Sequence, residues 1–189
     1  MKIILASASP RRSDLMKMAG FTFDVRVKNT PETHPDEVII EDIPQHLAER
    51  KAMAFFDEIT EDEVIVAADT IVILNGKIFE KPQHREEAMG MLTALSGQTH
   101  KVVTGVCLLS KSKKVAFRDE TKVTFNALTE SEIAFYVDNF KPYDKAGAYA
   151  CQEWIGAVAI AKFEGDYFNV VGLPVNKVYQ YLKEFDVNN

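Results

Sequence analysis

Hydrophobic and polar positions along this chain switch between a period of two and a period near 3.6, and the switches mark out the elements. The run Ile3-Ile4-Leu5-Ala6 reads as a buried strand. Ser9-Pro10 then opens a helix through SDLMKMAGF, with Ser9 as cap and proline at the first helical position. FTFDVRV alternates like a strand, and NTPETHPDE is a polar loop broken by prolines. Asp42, three residues before Gln45, forms a capping pair at the head of a helix through PQHLAERKAMAFF. VIVAADTIVIL is a strand-like run closed by the hairpin signal Asn75-Gly76, with KIFEKP beyond it. REEAMGMLTAL is helical and stops at Ser96-Gly97, where glycine supplies a left-handed cap. HKVVTGVCLL and VAFRDETKVTF read as strands across the charged turn SKSKK, and Thr129 with Glu132 makes a capping box ahead of IAFYVDNF. A Gly-rich loop around DKAGAY, strands through AVAIAKFEG and YFNVV, and a helix after Pro174 complete the pattern. Strands and helices interleave while hairpins also occur, so the expectation is a mixed-sheet α/β fold over residues 1–189 as one domain.

Composition narrows what such a fold can do. With 189 residues, 47% of them hydrophobic, the chain can bury one sizeable core. A formal net charge of -6 argues against a nucleic-acid binder, because the phosphate backbone attracts basic surfaces. A local basic pocket in an acidic protein suits a small anion better. The two cysteines, Cys107 and Cys151, lack the spacing of a zinc site and the density of a disulfide scaffold, which fits a reducing cytoplasm. MKIILASASPRR has too short an apolar run for a signal peptide, and no run approaches the roughly 20 residues of a membrane span. A soluble, intracellular protein with no membrane partner is expected.

Candidate chemistry lies where charges break these patterns. Asp69 interrupts an otherwise apolar strand, and an ionised carboxylate there is costly unless it is paired or holds a metal; an ordinary strand-end salt bridge is the alternative. Glu32 and Glu80 are the nearest acidic helpers in the sequence. Lys51 falls on the line Leu47, Lys51, Phe55, so it either snorkels outward from an apolar helical face or serves a site. Lys81 precedes Pro82, which holds its backbone extended. Arg11 and Arg12 occupy a first helical turn, where the macrodipole disfavours each exposed cation by roughly 0.3–1 kcal/mol. Phosphate oxygens would resolve that conflict, since guanidinium forks match them and helix N–H groups add donors; a salt-bridged surface pair is the plainer option. The four histidines, His34, His46, His84 and His100, show no metal-ligand spacing. Several cations with one or more hard carboxylates suit metal-assisted phosphoryl chemistry, yet neither a P-loop nor the kinase motif set is present.

The blocks LASASPRR, ADT followed by EKP, LSGQTHKVVTGV, YDKAGAYACQ and NVVGLP resemble, in order and over nearly the whole chain, the signature blocks of the Maf family of nucleoside triphosphate pyrophosphatases. The resemblance implies an elongated two-lobed α/β fold around a cleft, similar to the inosine triphosphatase class, a homodimer, and a divalent cation such as Mg2+ or Mn2+. It also implies Asp69 as the catalytic acidic residue, Glu32 as a second metal residue, and Ser9, Arg11, Arg12, Lys51 and Lys81 along the triphosphate. Thr70 and Gln152, with Arg12, match positions linked to substrate choice. The branch acting on 7-methylated GTP has Asp-Gln where this chain has Asp69-Thr70 and glutamate at Gln152, so the chain resembles the dTTP/UTP branch, with CTP and modified pyrimidine triphosphates as further substrates. Two departures stand out: Pro31-Glu32 where Asp-Glu is frequent, and Ala150-Cys151-Gln152-Glu153 where GIQG is common. The alternatives to a pyrimidine pyrophosphatase are a nucleotide-binding regulator of septum formation in cell division and an enzyme clearing non-canonical purine triphosphates.

Overall fold

The computed structural model describes residues 1–31, 33, 35 and 37–185. The candidate metal residue Glu32 and His34 lie outside the described residues. Seven strands and seven α-helices are found among the described residues. They run β1 (Lys2–Leu5), α1 (Pro10–Met18), β2 (Phe23–Val25), α2 (Ile43–Met53), β3 (Glu63–Leu74), β4 (Lys77–Phe79) and α3 (Arg85–Leu95). Then follow β5 (Thr99–Leu109), β6 (Lys114–Phe125), α4 (Glu130–Phe140), α5 (Trp154–Ala159), β7 (Ile160–Glu164), α6 (Tyr167–Val171) and α7 (Val175–Leu182). The strands form one sheet in the order β2-β1-β3-β5-β6-β7, with β4 paired to β3. β1 is parallel to β2 and to β3, whereas β4 and β7 are antiparallel to their neighbours, so the sheet is mixed. This is the α/β architecture that the interleaved pattern and its hairpins predict.

The chain divides into two compact units. The first comprises Met1–Thr70, Thr104–Asp119 and Gly172–Asn189. Its core packs Ile4 and Ala6 of the β1 region, Ile65 and Ala67 of β3, and Cys107 and Leu109 of β5 against Ala48, Ala52, Phe55 and Ile59. α2 sits very close to β5, because Gly105 has no side chain: a Cβ there would come within 2.0 Å of the Gln45 nitrogen. That close approach seats the helix carrying Lys51 on the sheet.

The second unit comprises Ile71–Val103 and Glu120–Val171. Leu92 and Leu95 of α3, Ile133, Tyr136 and Val137 of α4, Ile155 of α5, and Val123 and Phe125 of β6 form its core. The β3–β4 turn has positive φ at both Asn75 (51°) and Gly76 (74°), the conformation that favours Asn-Gly in a two-residue hairpin. Gly97, at φ 68°, follows α3 as the sequence indicates. The capping box of α4 is complete, with the Thr129 hydroxyl accepting from the Glu132 N–H and the Glu132 carboxylate accepting from the Thr129 N–H.

Local readings fail in four places. Ser9 is the N-cap residue of α1 but makes no side-chain capping bond. Asp42 makes none at α2 either; its carboxylate pairs with Arg118 instead. The AVA of AVAIAKFEG completes α5, and strand β7 begins only at Ile160. YFNVV is helix α6 rather than a strand. The Asp166 carboxylate accepts from the Phe168 N–H at 2.8 Å, which starts the turn, and buried Asn169 donates to the Val102 carbonyl and the Thr121 hydroxyl, both at 3.0 Å.

Candidate active site

In the first unit, β3 is buried along its whole length except at Asp69 and Thr70, which are half-buried. Asp69 therefore leaves an apolar strand with a carboxylate that needs a partner. The Lys51 ammonium meets it at 2.6 Å, with only 19% and 14% of the two side chains exposed. Lys51 thus neither points to open solvent nor packs idly on the Leu47–Phe55 face. The short contact offsets the cost of holding both charges away from water.

One residue further along β3, Thr70 joins a second cluster. Arg12 donates through Nε to the Gly172 carbonyl at 2.9 Å, through Nη1 to the Ser7 hydroxyl at 3.2 Å, and through Nη2 to Thr70 Oγ1 at 3.1 Å. Thr70 Oγ1 is also 2.9 Å from Thr104 Oγ1, and Thr104 is fully buried. Thr70 and Arg12 are therefore two members of one network tying α1, β3, β5 and the segment before α7. Ser9 is extended (φ −68°, ψ 116°), and its N–H donates to the same Ser7 hydroxyl at 3.2 Å. Arg11 is half-exposed in the first turn of α1, which contains no acidic residue. Ser9, Arg11, Arg12, Lys51, Asp69 and Thr70 all belong to this unit.

Lys81 and Gln152 belong to the second unit, and both side chains are exposed. Lys81 follows Glu80, whose carbonyl accepts from the Gly147 N–H at 3.1 Å, so the EKP segment is tied to the DKAGAY loop. A Cβ on Gly147, where φ is 68°, would crowd Val72 at 3.0 Å, which accounts for glycine at that point of the loop. Gln152 lies in a turn closed by the Glu153 N–H donating to the Ala150 carbonyl at 3.1 Å.

Sequence reasoning did not single out Ser7, Thr104, Gly172, Tyr136 or Lys145, which hold the candidate residues in place. All but Tyr136 lie inside the blocks LASASPRR, LSGQTHKVVTGV, NVVGLP and YDKAGAYACQ, so the signal was their position in those blocks rather than any local chemistry. No group of three or more His, Cys, Asp or Glu side chains able to hold a metal occurs among the described residues. This still fits Mg2+ or Mn2+ brought in with a triphosphate, because such ions are commonly held by one or two carboxylates plus substrate phosphates.

A mixed sheet with a lysine-paired carboxylate on β3 and an arginine-threonine network at the start of α1 defines an α/β protein with a charged, partly buried site. The fold is shared with the Ham1 protein of Staphylococcus aureus, whose structure superposes with a TM-score of 0.57 at 16% identity, covering 98% of this chain and all of that one. The chain belongs to the Maf family, whose model, described as Maf-like protein, matches residues 2–185. A relative from Flavobacterium johnsoniae named dTTP/UTP pyrophosphatase is 46% identical over 181 residues, 96% of this chain and 93% of its own. Another of the same name, from Bacteroides fragilis, is 47% identical over 186 residues, 97% of this chain and 95% of its own.

Proposed function

We propose that this protein is a nucleoside triphosphate pyrophosphatase that hydrolyses dTTP and UTP to the monophosphate and pyrophosphate. The observation that carries the reading is near full-length identity of 43–47% to relatives named for that activity. The site chemistry agrees with it. Asp69 anchors the divalent cation or accepts the proton of the water that attacks the α-phosphorus, and the Lys51 ammonium, 2.6 Å away, keeps that carboxylate aimed. An ammonium has three donors, so Lys51 can hold Asp69 and a phosphate oxygen together. Arg11, Ser9, Lys81 and the N–H groups at the start of α1 neutralise and orient the polyphosphate. Arg12 and Thr70 act as one network at the substrate, and Gln152 reads the base, since an amide can both donate to and accept from the edge of uracil or thymine.

Asp69 would hold a Mg2+ or Mn2+ ion, with Glu32 as the second candidate ligand. When bound, that ion supplies positive charge to the phosphate oxygens and assists departure of pyrophosphate. A homodimer in the cytoplasm completes the proposal. For the cytoplasm, the supporting observations are that no helix among the described residues is long and apolar enough to cross a membrane, and that Cys107 and Cys151 are buried and form no disulfide. Burial pushes the Cys107 thiol up to about 12, so it stays an unreactive core group. A panel of nucleoside triphosphates with Mg2+ or Mn2+, with products separated by chromatography, tests the function. UTP and dTTP should be turned over fastest, whereas preference for inosine or xanthosine triphosphate, or no turnover, would overturn it.

A further inference from the structure

The turn that carries Gln152 is built differently from a loop of glycines. Its first and last residues, Ala150 and Glu153, are both attached to one phenol, that of Tyr136 on α4. The Ala150 N–H donates to Tyr136 Oη at 3.2 Å, and Tyr136 Oη donates to the Glu153 carboxylate. Tyr136 is itself fully buried, stacked on Phe140 with centroids 5.0 Å apart, so the anchor cannot swing. On its other side the Glu153 carboxylate faces the Lys145 ammonium at 3.5 Å, and the Lys145 side chain is only 9% exposed. From below, α5 presses against the turn: a Cβ on Gly156 would come within 1.8 Å of the Cys151 carbonyl oxygen. Burial and the neighbouring Glu153 raise the Tyr136 pKa, which keeps the phenol protonated as the donor this arrangement needs.

We propose that Tyr136 and Glu153 form a clamp that fixes the backbone of the Gln152 turn and thereby sets discrimination between pyrimidine bases. The inference rests on the reading that Gln152 contacts the base. Its physical content is that a glutamine amide is ambidextrous. Uracil and thymine present N3–H beside a carbonyl, cytosine presents N3 beside an amino group, and an amide free to turn over can match either. A turn pinned at both ends restricts how Gln152 is presented, and the Cys151 thiol, 3.7 Å from Gln152 Oε1, adds a weak contact on the same side chain. Glu153 and Tyr136 are positioning residues, because their polar atoms are committed to the turn.

The test compares kcat and KM for UTP and CTP in the wild type and in Tyr136→Phe, Glu153→Ala and Glu153→Gln, with inhibition by inorganic tripolyphosphate measured alongside. Tyr136→Phe and Glu153→Ala should each raise KM for UTP and shrink the UTP:CTP ratio of kcat/KM about tenfold, with kcat and tripolyphosphate inhibition within about twofold of wild type. Glu153→Gln keeps an acceptor for the phenol and should restore most of the ratio. The double variant Tyr136→Phe/Glu153→Ala should be no worse than the more severe single change, as expected of one device. A UTP:CTP ratio unchanged in folded Tyr136→Phe and Glu153→Ala would overturn the clamp, as would parallel loss of tripolyphosphate inhibition. Should Tyr136→Phe fail to fold, Glu153→Ala, at a half-buried position, decides alone. A wild type that ignores pyrimidine triphosphates removes the parent reading and the clamp with it, whereas a selective wild type with equally selective variants removes the clamp alone.

Discussion

Asp69 and Arg12 reach their positions by opposite routes. Asp69 is a charge placed in an apolar strand, and the cost of that placement is met by Lys51 at 2.6 Å. Replacing it by asparagine keeps shape and backbone while removing the negative charge that pairs with Lys51 and that the proposed mechanism relies on. Asp69→Asn should nearly abolish UTP turnover while UTP still binds; a rate assay with calorimetry checks this, and near-normal turnover would contradict the role. Arg12 is a cation at the disfavoured end of a helix, and the structure shows how the conflict is met. Its donors reach back to Ser7, Thr70 and the Gly172 carbonyl instead of lying over the helix end. Arg12→Ala should weaken UTP binding more than uridine binding, by about 1.5–3 kcal/mol for a charge-assisted contact. Titrations with both ligands test this, and equal losses would place Arg12 with the base. Asp69 was legible because it breaks a pattern. The clamp on Gln152 was not, since Tyr136 precedes Ala150 and Glu153 by 14 and 17 residues, separations that no local period links.

Elements with their own start and stop chemistry could be read from the sequence, and those shaped by distant contacts could not. The Asn75-Gly76 hairpin and the capping box of α4 use only neighbours in the chain, and both are present; the end of α3 also falls at Ser96-Gly97, although the Gly97 N–H there donates to the distant Asn126 carbonyl at 3.1 Å. Thr129→Ala removes one half of that box and should cost about 1 kcal/mol of stability without changing kcat, because the cap is exposed and lies at the solvent end of α4. Urea denaturation with a parallel rate assay measures both quantities, and a large loss of kcat at unchanged stability would show that the cap serves another purpose. α6 is the instructive failure. Five residues rich in Val, Phe and Tyr suit either period, and what decides for helix is Asp166 turning the chain while Asn169 bonds to β5 and β6. The same holds for Asp42, where a partner on β6 outcompetes the local cap.

For the chain as a whole, stability and function respond to pH and substrate in ways the buried groups define. His100 lies edge-on to Phe125 and Tyr149, and its Nε2 is 2.7 Å from the Tyr149 hydroxyl. Burial lowers its pKa from 6.5 to about 4. The unfolded chain therefore binds a proton at this residue, between those values, that the folded chain refuses. The His100 contribution is complete above the unfolded value and is lost as pH falls toward the folded one, a loss on the order of 3 kcal/mol. Urea denaturation across that window should show a steeper fall for the wild type than for His100→Gln, and equal slopes would contradict the assignment. The family, the mixed α/β sheet and the lysine-bearing helix were all within reach of the sequence, because the motif blocks span the chain and each keeps its own chemistry. The identity of the reacting phosphorus is the central claim, and it can be read directly by hydrolysing UTP in oxygen-18 water and weighing the products. Attack at the α-phosphorus predicts the label in UMP with unlabelled pyrophosphate. Label in pyrophosphate, or products of UDP and orthophosphate, would contradict it.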